Sequence, residues 1–136
     1  MLCSVSNLWI SNSQPVGSSA KTRRPPGATR GLDACLFVYP KKAWEKEAAN
    51  IARHSTGSAA GRGFSRFMLA GAVEAEVDSA GRILIPDYLK RFASLRAKVV
   101  IAGVSDRIEI WGEEAWDTYT KTIERDADQF AESLAS

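Results

Sequence analysis

The chain has 136 residues, with 18 Lys and Arg against 16 Asp and Glu, for a net charge of +2. That length suits one ordinary domain or two small halves sharing a core, and 45% hydrophobic with 25% charged residues is the balance of a soluble globular protein. The longest apolar runs, 67–73 and 99–104, fall far short of the roughly 20 residues of a membrane helix, and Cys3, Cys35 and His54 are too few for a disulfide framework, a four-ligand zinc site or rich histidine chemistry.

Taken in chain order, residues 1–28 contain no Asp or Glu, are rich in Ser, Asn, Arg and Pro, and carry the helix- and strand-breaking pair Pro25-Pro26. They are predicted to be poorly ordered. Cys35 to Tyr39 is a run of apolar, strand-favouring residues that Pro40 stops. Residues 41–53 then place Trp44, Ala48 and Ile51 on one helical face. Residues 55–63 have the composition of a flexible connection and lack the Gly-Lys-Ser/Thr of a phosphate loop. Phe64, Phe67 and Met68 follow at helical spacing, with Met68 expected in the core.

The stretch from residue 73 is the most informative. Val73, Ala75 and Val77 alternate with Glu74 and Glu76 as a strand with one buried face. Asp78-Ser79-Ala80-Gly81 is a turn that Asp78 can cap and in which Gly81 can take a positive φ; Arg82-Ile83-Leu84-Ile85 is the return strand. Pro86 suits the first position of a helix over 87–92, which carries the basic pair Lys90 and Arg91. Ile108, Glu109 and Ile110 alternate as a strand, and from Glu113 a helix places Trp116, Tyr119, Ile123, Ala127 and Phe130 at helical spacing. Core packing is favoured over ligand stacking for these tryptophans.

An internal repeat organises these elements. At an offset of 72 residues, Gly31, Leu36, Val38, Tyr39 and Ala43-Trp44 fall on Gly103, Ile108, Ile110, Trp111 and Ala115-Trp116. The repeat predicts three segments: 1–28, anomalous; 29–72, the remainder of a first copy; and 73–136, a second copy with a C-terminal helix. The hairpin of the second copy has no sequence counterpart in the first, where Asp78, Gly81, Arg82 and Pro86 map to Ser6, Trp9, Ile10 and Gln14. A frame change upstream of about Thr29, or a targeting segment without the apolar core of a secretion signal, are two accounts of residues 1–28. Charge is equally lopsided, with +4 over residues 1–30 and −5 over 113–136.

Val77-Asp78-Ser79-Ala80-Gly81-Arg82-Ile83-Leu84-Ile85-Pro86 resembles the signature of the SpoVT–AbrB superfamily of DNA-binding proteins. Thr29 to Asp33, Leu36 to Pro40, Trp44, Leu69 to Ala72 and Asp106 to Trp111 narrow the resemblance to the MraZ family of bacterial transcriptional regulators, over about residues 29–125. The resemblance implies an α+β fold, a two-repeat double-split β-barrel of swapped hairpins with flanking helices and an incomplete first repeat. It further implies subunits joined in rings, residence in the cytoplasm on the nucleoid, and binding to tandem short DNA repeats before the division and cell-wall gene cluster, which such proteins usually repress. Its Asp-x-x-Gly-Arg turn falls on Asp78, Gly81 and Arg82.

Without the family, Arg82 can pair bidentately with a guanine edge or a phosphate, or form a surface salt bridge with Asp78 or Glu76. Asp78 is expected to shape the turn, because a carboxylate beside phosphate repels it. Lys90 and Arg91 are further DNA candidates, equally explained by a solvated helix face. The expected partners are double-stranded DNA and further copies of the chain, with no cofactor, metal, membrane or small-molecule substrate. An oligomeric interaction module with weakened DNA binding is the rival, since one hairpin is missing. An enzyme has little support, as His54 has no evident partner and Cys35 sits in an apolar strand.

Overall fold

Leu36, Phe37, Val38 and Tyr39 alternate apolar side chains on both faces, so a strand built from them needs cover on both sides. In the computed structural model, which describes residues 2–4, 9–11, 27–75 and 78–135, that strand lies in the middle of a six-stranded antiparallel sheet. The strands are β1 (Leu2–Ser4), β2 (Trp9–Ser11), β3 (Gly27–Arg30), β4 (Leu36–Tyr39), β5 (Val73–Glu74), β6 (Arg82–Leu84), β7 (Lys98–Val104) and β8 (Arg107–Gly112). The helices are α1 (Lys41–Arg53), α2 (Ala59–Ser65), α3 (Asp87–Phe92) and α4 (Glu113–Ala135), with a π-helical turn at Arg66–Ala70. Sheet order is β1-β7-β8-β4-β3-β5, and β2 pairs with β6 apart from it. The fold is therefore α+β with antiparallel sheets.

The 72-residue offset is visible in the pairing. Across the β4–β8 seam, Phe37 faces Glu109, its own counterpart, while Leu36 faces Ile110 and Val38 faces Ile108. The seam thus reads the same from either strand, as a local two-fold axis requires. Helices α1 and α4 begin at Lys41 and Glu113, again 72 apart. One alignment is shifted by the sheet: Arg30 pairs with Leu36 and Gly103 with Ile108, so the structural counterpart of Gly103 is Arg30 rather than Gly31. The first connection, residues 31–35, is one residue longer than 104–107, and Asp33 and Ala34 take φ of 62° and 60° to accommodate it.

The outer strands keep the same relation. β5 lies on β3 with Val73 opposite Ala28, and β1 lies on β7 with Cys3 opposite Val99. In the separate pair, Trp9, Ile10 and Ser11 face Leu84, Ile83 and Arg82. Apart from β1, β2 and residues 27–28, the segment expected to be poorly ordered lies outside the described residues, as do Glu76 and Val77.

Alternation in the central strands creates two cores. Leu36, Val38, Val99 and Ile110 pack on one face with Leu89 from α3 and with Ile85 and Ala93, which flank that helix. Phe37, Tyr39, Val100 and Trp111 pack on the other with Ile51, Met68, Trp44 and Trp116. Met68 is buried as expected, Trp111 is a core residue, and Trp44 and Trp116 pack against that core: Trp111 stacks on Tyr119 at 4.9 Å and meets Trp116 edge-on at 5.5 Å, while Trp44 lies 5.6 Å from Tyr39. Burial pushes the Cys35 thiol up to about 12, so it stays protonated at neutral pH and donates to the Leu32 carbonyl at 3.1 Å. Two expectations change. Pro86 caps α3 rather than opening it, and Ala127 and Phe130 are exposed because α4 runs on past the sheet that buries its first turns.

Ile110 and Leu36 are completely buried against each other's strands. Ile110→Ala is expected to lower unfolding free energy by about 2–5 kcal/mol in urea titration, the cost of lost transfer energy plus a cavity. Leu32→Ala, at an exposed position, should cost far less.

Candidate nucleic-acid interface

The turn between β5 and β6 is shaped by one carboxylate. The Asp78 N–H donates to the Arg82 carbonyl at 2.9 Å, and the Gly81 N–H donates to the Asp78 carbonyl at 3.0 Å. Asp78 Oδ1 accepts from the N–H groups of Ala80 at 3.0 Å and Arg82 at 2.8 Å, an Asx-type cap that substitutes for backbone acceptors. Gly81 has φ of 80°, a left-handed conformation that a Cβ penalises. Asp at the start and Gly three residues later are thus required by the geometry of the turn itself.

The second carboxylate oxygen engages a side chain. Asp78 Oδ2 accepts from Arg82 Nε at 2.6 Å, while the Arg82 side chain remains 47% exposed. The pair is the salt bridge that the residues alone allowed, and it also orients the guanidinium on an exposed turn. The Asp78 carboxyl is held below its ordinary 3.8, first by the Arg82 backbone N–H and then by the Arg82 side-chain hydrogen bond and charge. Glu76, the other partner considered for Arg82, lies outside the described residues.

The base of the hairpin is tied down by contacts to which the sequence pattern assigned no role. The π-helical turn leaves carbonyls without their usual helical donors. Thr29 Oγ1 donates to the Met68 carbonyl at 2.6 Å and Arg30 Nε to the Phe67 carbonyl at 3.2 Å. The Tyr88 hydroxyl donates to the Gly71 carbonyl at 2.8 Å, joining α3 to the start of the hairpin. The Arg30 guanidinium also lies 4.7 Å from the centre of the Phe67 ring. A π-helical turn leaves no periodic signal of its own, which is why the pattern did not give Arg30 and Tyr88 these roles.

Lys90 and Arg91 sit in the last turn of α3. Lys90 binds Asp87 at 3.0 Å, and both basic residues line a shallow depression with Arg96, to which no residue of the Asp78 turn contributes. Among the described residues no group of three or more His, Cys, Asp or Glu is placed to hold a metal ion, and no helix is long and apolar enough to cross a membrane.

Comparison with known proteins bears on the same stretch. Residues 68–135 match the family model described as "MraZ protein, putative antitoxin-like". The chain is 45% identical over 107 residues to the transcriptional regulator MraZ of Natranaerobius thermophilus, covering 79% of this chain and 75% of that one. It is 43% identical to the proteins of the same name from Desulforamulus reducens, over 78% of this chain and 75% of that one, and Heliobacterium modesticaldum, over 79% and 75%.

Because a carboxyl whose value is lowered stabilises the turn while it is ionised, the contribution of Asp78 is complete above about pH 4 and is lost as pH falls through its lowered value. Carboxyl 13C titration should give Asp78 a midpoint below 3.8, and Arg82→Ala should raise that midpoint. An unchanged midpoint would show that the Arg82 side chain adds nothing. Gly81→Ala should destabilise the turn by about 1–2 kcal/mol, measured by amide hydrogen exchange of Ala80 and Arg82.

Proposed function

Because the chain belongs to the MraZ family, we propose that it is a DNA-binding transcriptional regulator whose turn at Asp78, Gly81 and Arg82 meets duplex DNA. The observation that carries this reading is the division of labour on Asp78, with one oxygen fixing the backbone of the turn and the other orienting an exposed guanidinium. A planar guanidinium matches the O6 and N7 acceptors of guanine, or two phosphate oxygens, better than a lysine could. The charge of Asp78 is taken up by Arg82 and two N–H groups, so its repulsion of phosphate is reduced.

An Asp–Arg pair is neutral overall, and a single turn attracts DNA weakly. Several copies acting together on tandem repeats would multiply that affinity, which supports the ring assembly implied by the family resemblance. The swapped pairing of β1 with β7, β5 with β3 and β2 with β6 supports reading the sheets as a double-split barrel of two repeats, 29–72 and 73–136. On this reading the protein works in the cytoplasm on the nucleoid, as a repressor of the division and cell-wall gene cluster.

The two repeats are unequal in the feature that matters. Ile10 faces Ile83, so the two-fold relation of β2 and β6 sets Trp9 where the counterpart of Arg82 falls. Asp-x-x-Gly-Arg occurs once in the chain. Each chain therefore brings one arginine turn to DNA, and the spacing of contacts follows from the distance between chains. The rival reading, an interaction module with little DNA affinity, draws on this same loss.

Arg82→Ala is expected to lose about 1–3 kcal/mol of binding to the cognate duplex if the contact is to a base, with affinity of the natural chain falling steeply as salt is raised. A gel-shift titration reads both. Equal binding by the natural and Arg82→Ala proteins would remove the turn from the interface, and no salt-dependent binding by the natural chain would favour the interaction module.

A further inference from the structure

We propose that the acidic end of α4 docks, on a second copy of this chain, into the cationic depression formed by Lys90, Arg91 and Arg96. The proposal rests on reading the protein as an assembly of its own copies, and it assigns the surfaces that join them. Helix α4 is anchored only at its start, where Trp116 and Tyr119 pack against the sheet. From Glu124 to Ala135 every residue but Asp126 is exposed. Ala127, Phe130 and Leu134 nevertheless form an apolar stripe at spacings of three and four, with Phe130 48% and Leu134 88% exposed.

The same half-helix is strongly acidic. Glu124, Asp126, Asp128 and Glu132 stand against Arg125 alone, which is bound to Asp126 at 2.9 Å. No basic residue lies in the last turn, so the negative end of the helix dipole is reinforced by Glu132 instead of being offset. Two such helices would repel each other. A partner for this stripe must offer apolar surface inside a cationic rim.

The chain carries such a surface. A depression of about 490 Å3 is lined by Asp87, Lys90, Arg91, Ser94, Leu95 and Arg96, three cations against one acid, with Leu95 as its apolar element. Ser94 and Arg96 also line the adjoining hollow beside Gly112 and Glu113, where α4 begins. From Glu113 to Leu134 the helix advances about 30 Å, at 1.5 Å per residue. A straight helix that starts beside the depression cannot return its far end to it, so the occupant comes from another copy. Such a contact joins two different surfaces and propagates head to tail, closing into a ring if the rotation per step allows.

Sedimentation velocity on the full chain, with circular dichroism as a check of folding, tests this. The natural chain should sediment above its monomer mass at 0.1 M salt and shift toward monomer at 1 M. Leu134→Asp and Arg96→Glu, both outside the cores, should each weaken assembly at least tenfold, and Arg96→Glu combined with Glu132→Arg should restore it. A monomeric natural chain would overturn both the assembly reading and this interface. An oligomer unchanged by both single substitutions would overturn the interface alone. Normal assembly of Arg96→Glu together with lost DNA affinity would mark the depression as a phosphate site and equally overturn the proposal. Arg82→Ala should assemble normally, which keeps this test separate from that of the DNA-contacting turn.

Discussion

The architecture depends on the seam between β4 and β8. Phe37 and Glu109 face each other there, and everything on either side is arranged reciprocally about that pair. A carboxylate at the centre of a sheet is costly unless it is fully partnered. Glu109 is only 14% exposed, and it accepts from Arg107 Nη2 and Trp111 Nε1, each at 3.2 Å. The Arg107 guanidinium then lies 4.4 Å from the centre of the Phe37 ring, closing a loop of contacts across the axis. Phe37 and Glu109 are unlike in chemistry yet equivalent in position, so the seam is held by complementarity between the two copies rather than by identity.

From that seam the Asp78 turn is reached through a short series of fixed links. β4 holds β3, β3 holds β5, and Thr29 and Arg30 hold the π-helical turn that leads into the hairpin. Tyr88 ties α3 to the same point through Gly71. The exposed end of the hairpin therefore rests on a braced base, while its own shape is set locally by Asp78. A group that must meet a partner in one orientation gains from such prior ordering, because less conformational freedom is lost on binding.

The central strands, α1, α4 and the hairpin were legible because their signals are local and periodic. Alternation in residues 36–39 and 108–111, Pro40 after the first strand, and Asp78 with Gly81 at the turn each state their structure directly. The repeat was legible too, although its glycine match was one residue out, since the extra residue lies in a connection whose left-handed Asp33 and Ala34 carry no distinctive residue type. What pattern could not supply was tertiary. The same heptad-like spacing describes Trp116 in the core and Phe130 in solvent, and only the width of the sheet decides between them. Residue types alone left Arg82 undecided between salt bridge and DNA contact; the geometry makes it a salt bridge whose guanidinium is still partly exposed.

The central proposal is that this oriented guanidinium meets duplex DNA, and its sharpest form is contact with base edges. Arg82→Lys keeps the charge and removes the fork, so it separates base readout from phosphate attraction. The most direct measurement is selection of duplexes from a randomised pool by the natural and Arg82→Lys proteins in parallel. The account predicts that the natural chain enriches a short repeated sequence while the Arg82→Lys protein retains DNA with little sequence preference. Enrichment of the same sequence by both proteins would contradict it.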